Sequence, residues 1–250
     1  LQNHRYFIRL AFKGTRYHGW QVQPNATTVQ QTLNDGLSTI LRKDIHVVGA
    51  GRTDAGVHAS LFWAHFDFDG PIEDTQNICF RLNRFLPDDI AVYGIHPVAS
   101  NAHARYDALS RTYQYHITRI KDPFKREFAY SLFWDVDVNK MNDACHILYQ
   151  YEDFTSFSKS RTQVKTNLCD IYRAEWQQAG HMLIFTIQAN RFLRNMVRAV
   201  VGTLLEIGQG RLQPEELRQI IESRDRSRAG FSVPANGLFL TNIQYPEGLI

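Results

Sequence analysis

Cysteine is scarce and scattered. Cys79, Cys145 and Cys169 lie far apart with no C-x-x-C pair, which argues against a disulfide framework and against a zinc knuckle. Long apolar runs are missing as well: none approaches the roughly 20 residues needed to span a bilayer. Leu1 is followed by polar Gln2 to Arg5 rather than by a secretory signal, so a soluble, cytoplasmic protein is expected. There is no proline, serine or glutamine tract of the kind that stays disordered. Metal-binding patterns are absent. His96, His103 and His116 fit neither H-E-x-x-H nor a Cys/His set, and no catalytic metal is expected. Nucleotide-cofactor fingerprints fail too, because Asp54 stands where the third glycine after Gly49-x-Gly51 would be needed, and no G-K-[ST] follows.

Lysine is the last scarcity, with only 7 among the 28 basic residues, leaving 21 arginines. A guanidinium is a planar fork that matches phosphate oxygens and lies flat on a base, whereas an ammonium is a strongly hydrated point charge. With a net charge of +3 the bias admits a polyanionic partner without requiring one.

The 250 residues suit two domains of ordinary size. Tyr6, Ile8, Leu10 and Phe12 alternate within an Arg5 to Phe12 strand, and a capping-box start at Thr27-Thr28-Val29-Gln30 opens a helix through Leu41. Strands at Ile45 to Val48 and Leu61 to Phe68, a helix from Asp74 to Arg84 and a strand from Ile90 to Val98 complete a β-α-β-β-α-β unit, the split unit of ferredoxin-like domains. The second half repeats this order: strand Thr112 to Thr118, helix Val138 to Gln150, strands Ile171 to Gln177 and Met182 to Ala189, and a helix from Arg191 to Ile207. A further helix opening at Pro214 and a strand from Leu238 to Gln244 close the chain. The fold class expected is α+β, two tandem ferredoxin-like domains over residues 1–102 and 103–250, with a groove between them as the natural place for a site.

The stretch Val48 to Ala59 reads as a glycine-flanked turn displaying Arg52 and Asp54. Two readings of Asp54 stand side by side here, a local cap of turn N–H groups and a functional carboxylate; Arg52 is similarly open between nucleic acid and a surface pair. Arg191, Arg194 and Arg198 cluster on one helical face opposite Leu193, Met196, Val197, Val200 and Leu204. Tyr113, Tyr115 and Ile117 share a strand face, where core packing competes with stacking on a base. Arg105, Lys159, Arg161 and Lys165 are candidate phosphate contacts, with solvated loop charges as the alternative.

The string Ala50-Gly51-Arg52-Thr53-Asp54-Ala55-Gly56-Val57-His58-Ala59 resembles the signature of the tRNA pseudouridine synthase A family. Further blocks are similar and in the same order: Tyr17-His18-Gly19-Trp20-Gln21-Val22-Gln23-Pro24, Leu86-Pro87-Asp88-Asp89-Ile90, His103-Ala104-Arg105-Tyr106, Ser110 to Tyr115, Asn195 to Arg198, and Pro234 to Leu238. The resemblance covers nearly the whole chain. It implies two ferredoxin-like halves sharing a central mixed sheet, a homodimer, and action on the tRNA anticodon stem-loop at positions 38 to 40. It also implies Asp54 as the catalytic aspartate, Tyr113 against the target uracil, Arg198 as the basic partner of Asp54, Leu238 in the pocket wall, and Arg52 in the gap left by an extruded nucleotide. The reaction breaks the bond from ribose C1′ to uracil N1 and joins C1′ to C5 without a change in oxidation state, so no cofactor is expected. A carboxylate serves it either as nucleophile or as the base that removes a ribose proton. The alternatives are a non-catalytic RNA-binding protein and a synthase of the same type acting on another RNA. Ala102, Phe231-Ser232-Val233 and Thr166 to Cys169 depart from the family pattern without touching Asp54, Tyr113 or Arg198.

Overall fold

Alternation of Tyr6, Ile8, Leu10 and Phe12 produces strand β1 (Asn3–Phe12), in which these four side chains and Phe7 are buried. This is a computed structural model, and it describes residues 3–159 and 166–250. Their internal contacts divide into two units, one holding the chain up to Ser110 with Leu240–Ile250, the other Arg111–Phe239.

In the first unit β1 is followed by α1 (Val29–Leu41), β2 (Val48–Gly49), β3 (His58–Asp69), α2 (Thr75–Phe85) and β4 (Ile90–Val98). Strand β1 lies antiparallel between β4 and β3, and β2 pairs with β3, giving the order β4-β1-β3-β2. Helix α1 starts where Thr28 accepts a hydrogen bond from the Gln31 N–H at 3.3 Å, and α2 where Asp74 accepts from the Asn77 N–H at 2.9 Å. Leu33, Leu37 and Leu82 bury the apolar stripes of these helices. On the sheet face opposite Tyr6 and Ile8, the buried side chains of Phe7, Trp63 and His65 lie under the half-buried ring of Tyr245.

The strand expected at Ile45 to Val48 is reduced to Val48–Gly49. Side chains of α1 take the backbone groups a longer ladder would use: Ser38 Oγ accepts from the Ile45 N–H at 2.9 Å, and Asn34 Oδ1 from the Val47 N–H at 2.9 Å.

The second unit runs through β5 (Ser110–Thr118), β6 (Tyr130–Ser131), α3 (Val138–Leu148), β7 (Ile171–Ala179), β8 (Met182–Ala189), α4 (Met196–Gly208), α5 (Glu216–Ser223) and the start of β9 (Leu238–Gln244). Strand β8 is antiparallel to both β5 and β7. Within the second unit the order β5-β8-β7 matches β1-β3-β2 of the first. The two-residue β6, parallel to Ile117 and Thr118, has no counterpart in the sequence reading.

The helix expected from Arg191 begins only at Met196. Asn195 adopts a left-handed backbone (φ 67°), a conformation asparagine tolerates better than most residues, and its Nδ2 donates to Ser232 Oγ at 2.6 Å. Arg191 and Arg194 therefore precede the helix and do not share a helical face with Arg198.

Candidate active site

The loop between β2 and β3 carries Arg52, exposed, and Asp54, half-buried. Its shape depends on the segment Tyr17 to Trp20, which runs against its backbone. The Trp20 N–H donates to Thr53 O at 3.3 Å, and the Gly56 N–H donates to Tyr17 O at 3.2 Å. Gly19 sits at φ 88°, and a Cβ there would overlap Thr53 O and lie 3.2 Å from Asp54 C. Gly49 faces the Trp20 indole so closely that a Cβ would collide with Nε1. Glycine is required at both points because one backbone must pass another and a ring. Trp20 itself is a core residue, stacked on Phe62 at 4.2 Å between centroids.

A further layer holds that segment. Asp89 accepts from the Tyr17 hydroxyl at 2.6 Å and from Arg16 Nε at 2.8 Å, while its carbonyl accepts from the Lys13 N–H at 2.8 Å. Burial, and then the Asp89 carboxylate, push the Tyr17 phenol pKa up, so Tyr17 stays a donor. On the other side of the loop, buried His58 accepts at Nδ1 from the Gly14 N–H at 3.0 Å. Asp89 and His58 are supports that the sequence reading did not single out; their motif strings were visible, but contacts across 72 and 44 residues were not. Beside Asp54, the Thr53 hydroxyl is buried without a hydrogen-bond partner among the described residues. Such a group is destabilising by roughly 1–3 kcal/mol until something reaches it.

In the second unit Tyr113 is half-buried on β5 with its ring edge-on to Phe192, 5.2 Å between centroids. Tyr115 and Ile117, on the same strand face, are fully buried, so the core reading holds for them. Arg198 lies in the first turn of α4 and is half-buried; its Nε donates to Val233 O at 2.7 Å, and its carbonyl accepts from the Val233 N–H at 3.2 Å. The next residue, Pro234, accepts from the Tyr115 hydroxyl at 2.8 Å. Burial pushes the Tyr115 phenol pKa up, against the opposing pull of the Arg198 cation. Asn236 Nδ2 then donates to Arg126 O at 2.9 Å and Ala129 O at 3.0 Å. A Cβ on Gly237 would come within 2.7 Å of His116 O, so the chain enters β9 pressed against β5, with Leu238 buried. Strand, helix and the 233–238 segment thus hold Tyr113, Arg198 and Leu238 on one tightly bonded framework.

Among the expected phosphate contacts, Arg105 and Lys159 are exposed, and the Lys159 N–H donates to Arg194 O at 3.1 Å. Arg161 and Lys165 lie outside the described residues. Among the described residues no group of three or more His, Cys, Asp or Glu is placed to hold a metal ion, and no helix is long and apolar enough to cross a membrane.

The chain matches the family model described as tRNA pseudouridine synthase over residues 10–107 and 151–246, segments that contain Asp54, Arg198 and Leu238 but not Tyr113. It is 55% identical over 244 residues to the tRNA pseudouridine synthase A of Bacteroides fragilis, covering 97% of each chain. To that of Parabacteroides distasonis it is 55% identical over 245 residues, covering 98% of this chain and 97% of the relative. A more distant relative of the same name, from an Exiguobacterium species, is 38% identical over 240 residues, covering 95% of this chain and 96% of its own. By its matched segments and by this identity along almost its entire length, the chain belongs to the tRNA pseudouridine synthase family.

Proposed function

We propose that this chain isomerises uridine to pseudouridine in the anticodon stem-loop of tRNA, at positions 38 to 40, with Asp54 as the reacting carboxylate. The isomerase class and the tRNA substrate follow from membership of the family. The finer reading adds a cytoplasmic homodimer that needs no cofactor, built of two ferredoxin-like domains over residues 1–102 and 103–250. The repeated strand order supports that domain reading. What carries the assignment of Asp54 is its presentation: a carboxylate on a loop whose neighbours, Gly19 and Gly49, leave no room for a side chain.

A uridine inside a stem does not expose N1 or C5, so it must be extruded at a cost of a few kcal/mol. In this reading Arg52 fills the vacated space, the Tyr113 ring stacks on the uracil, and Leu238 closes the pocket wall. Arg105, Lys159, Arg161 and Lys165 offset the extrusion through phosphate contacts. The C1′–N1 bond then breaks, the base turns, and C1′–C5 forms; N1 gains a proton and C5 loses one, so atoms and electrons balance without a redox partner. Asp54 acts either as nucleophile or as the base that removes a ribose proton, and Arg198 is its basic partner. Mapping pseudouridine in unmodified tRNA and in an unrelated structured RNA after exposure to the chain tests the substrate. Conversion confined to the anticodon arm is expected; conversion of the other RNA, or of another arm, would contradict this specificity.

A further inference from the structure

Residues 102–109 of the first unit form a turn that the sheet grips by its backbone. Arg5, held by Asp67 through bonds of 2.7 and 2.8 Å, uses its remaining terminal nitrogen to donate to Ala102 O at 2.9 Å. His65 Nδ1 accepts from the Ala104 N–H at 3.1 Å, and the Tyr245 hydroxyl donates to Ala104 O at 2.5 Å. The Leu109 N–H donates to Gln244 O at 2.8 Å. Within the turn, Asp107 Oδ2 accepts from the His103 N–H at 2.7 Å, and His103 Nδ1 accepts from the N–H groups of Arg105 and Tyr106 at 3.1 and 3.3 Å.

This framework supports an aromatic ring that is largely exposed. Tyr106 is 76% exposed, with the His103 imidazole behind it at 4.2 Å between centroids and the Arg105 guanidinium 5.9 Å from its centre. His103 is in turn edge-on to buried His65 at 4.6 Å. An exposed aromatic gains little from folding, so a turn that fixes its direction calls for another explanation. A ring already fixed in direction loses little freedom when a planar group lands on it, and the adjoining guanidinium attracts the phosphate that accompanies a nucleotide.

We propose that Tyr106 is a stacking contact for an unpaired nucleotide of the tRNA, held in place by His103 and by the sheet-anchored turn, with Arg105 supplying the neighbouring phosphate contact. The inference rests on the tRNA-modifying reading above. It makes Tyr106 a substrate-binding residue and His65 and His103 positioning residues.

The test is equilibrium binding of unmodified tRNA to the full chain and to Tyr106→Ala, Tyr106→Phe and Arg105→Ala across a range of salt concentrations, with thermal melting of each. Tyr106→Ala should bind roughly 5- to 100-fold more weakly at every salt concentration. Its salt slope should be unchanged, because no charge is removed. Tyr106→Phe should restore binding to within about twofold, since the π-face is what stacks. Arg105→Ala should lower the slope by about one phosphate contact. Binding by Tyr106→Ala as tight as the parent's, while the parent binds and modifies tRNA, would overturn the contact alone. Equal weakening by Ala and Phe that follows a loss of melting temperature would overturn it too, by reducing Tyr106 to a folding role. A parent that neither binds nor modifies tRNA would instead remove the family reading beneath it.

Discussion

Arg198 occupies the first turn of α4, where a cation opposes the partial positive charge of the helix N-terminus. The opposition is worth about 0.3–1 kcal/mol, and a glutamate there would be better for the helix alone. The hydrogen bond to Val233 offsets part of it, and under the proposed function the cation serves as the basic partner of Asp54. Arg198→Lys keeps the charge but loses the planar fork, so turnover on tRNA should fall by on the order of tenfold or more, and Arg198→Ala further; near-parent rates for both would separate Arg198 from the chemistry. His65 makes a different prediction. Burial first, and then the Arg5 and His103 charges, lower its pKa to about 4, against the weaker opposite pull of Asp67 and Asp107. The folded state favours the neutral ring, so its contribution is complete above the unfolded value near 6.5 and is lost as pH falls toward 4. Melting temperature should therefore decline across that interval, and His65→Asn should flatten the decline while keeping an acceptor for the Ala104 N–H. Parallel curves for parent and variant would contradict this account of His65.

The loop bearing Asp54 is an element without a ladder of its own, and its neighbours define it. Gly19→Ala forces a side chain against Thr53 O in a left-handed backbone, a strain of roughly 1–3 kcal/mol before the clash is counted. Displacement of the loop by about 1 Å should lower turnover by on the order of a hundredfold. Asp89→Ala should act in the same direction through Tyr17, reducing turnover by more than it weakens tRNA binding; an unchanged rate would show that the loop does not need this support. These supports explain what the sequence made legible and what it did not. The Arg52-Thr53-Asp54 string announced itself, as did strands with clean alternation, and β4, β8 and β9 begin and end where the pattern places them. The sequence starts helix α4 five residues too early because an apolar and basic pattern runs through Arg191 to Arg194, and nothing in it reveals the left-handed Asn195. Strand β2 was read too long because Ser38 and Asn34 of α1 intercept its backbone, a contact that local pattern does not encode.

At the scale of the whole molecule, three strands stand in matching order in the two units, β1-β3-β2 and β5-β8-β7, and the sequence shows the same succession of elements. What the succession left out was how the two orders end: β9 begins in the second unit, and from Leu240 the chain belongs to the first. Arginine outnumbers lysine threefold, and a tRNA held through phosphates releases counterions, so binding should weaken by roughly tenfold or more as salt rises from about 0.05 to 0.2 M. A flat salt response would contradict the phosphate contacts assigned to Arg105 and Lys159. The most direct measurement is release of hydrogen from uridine C5 in unmodified tRNA, with the parent chain and Asp54→Asn compared at matched RNA occupancy. The substituted chain should bind tRNA as the parent does and release none; equal release by both would contradict the role of Asp54.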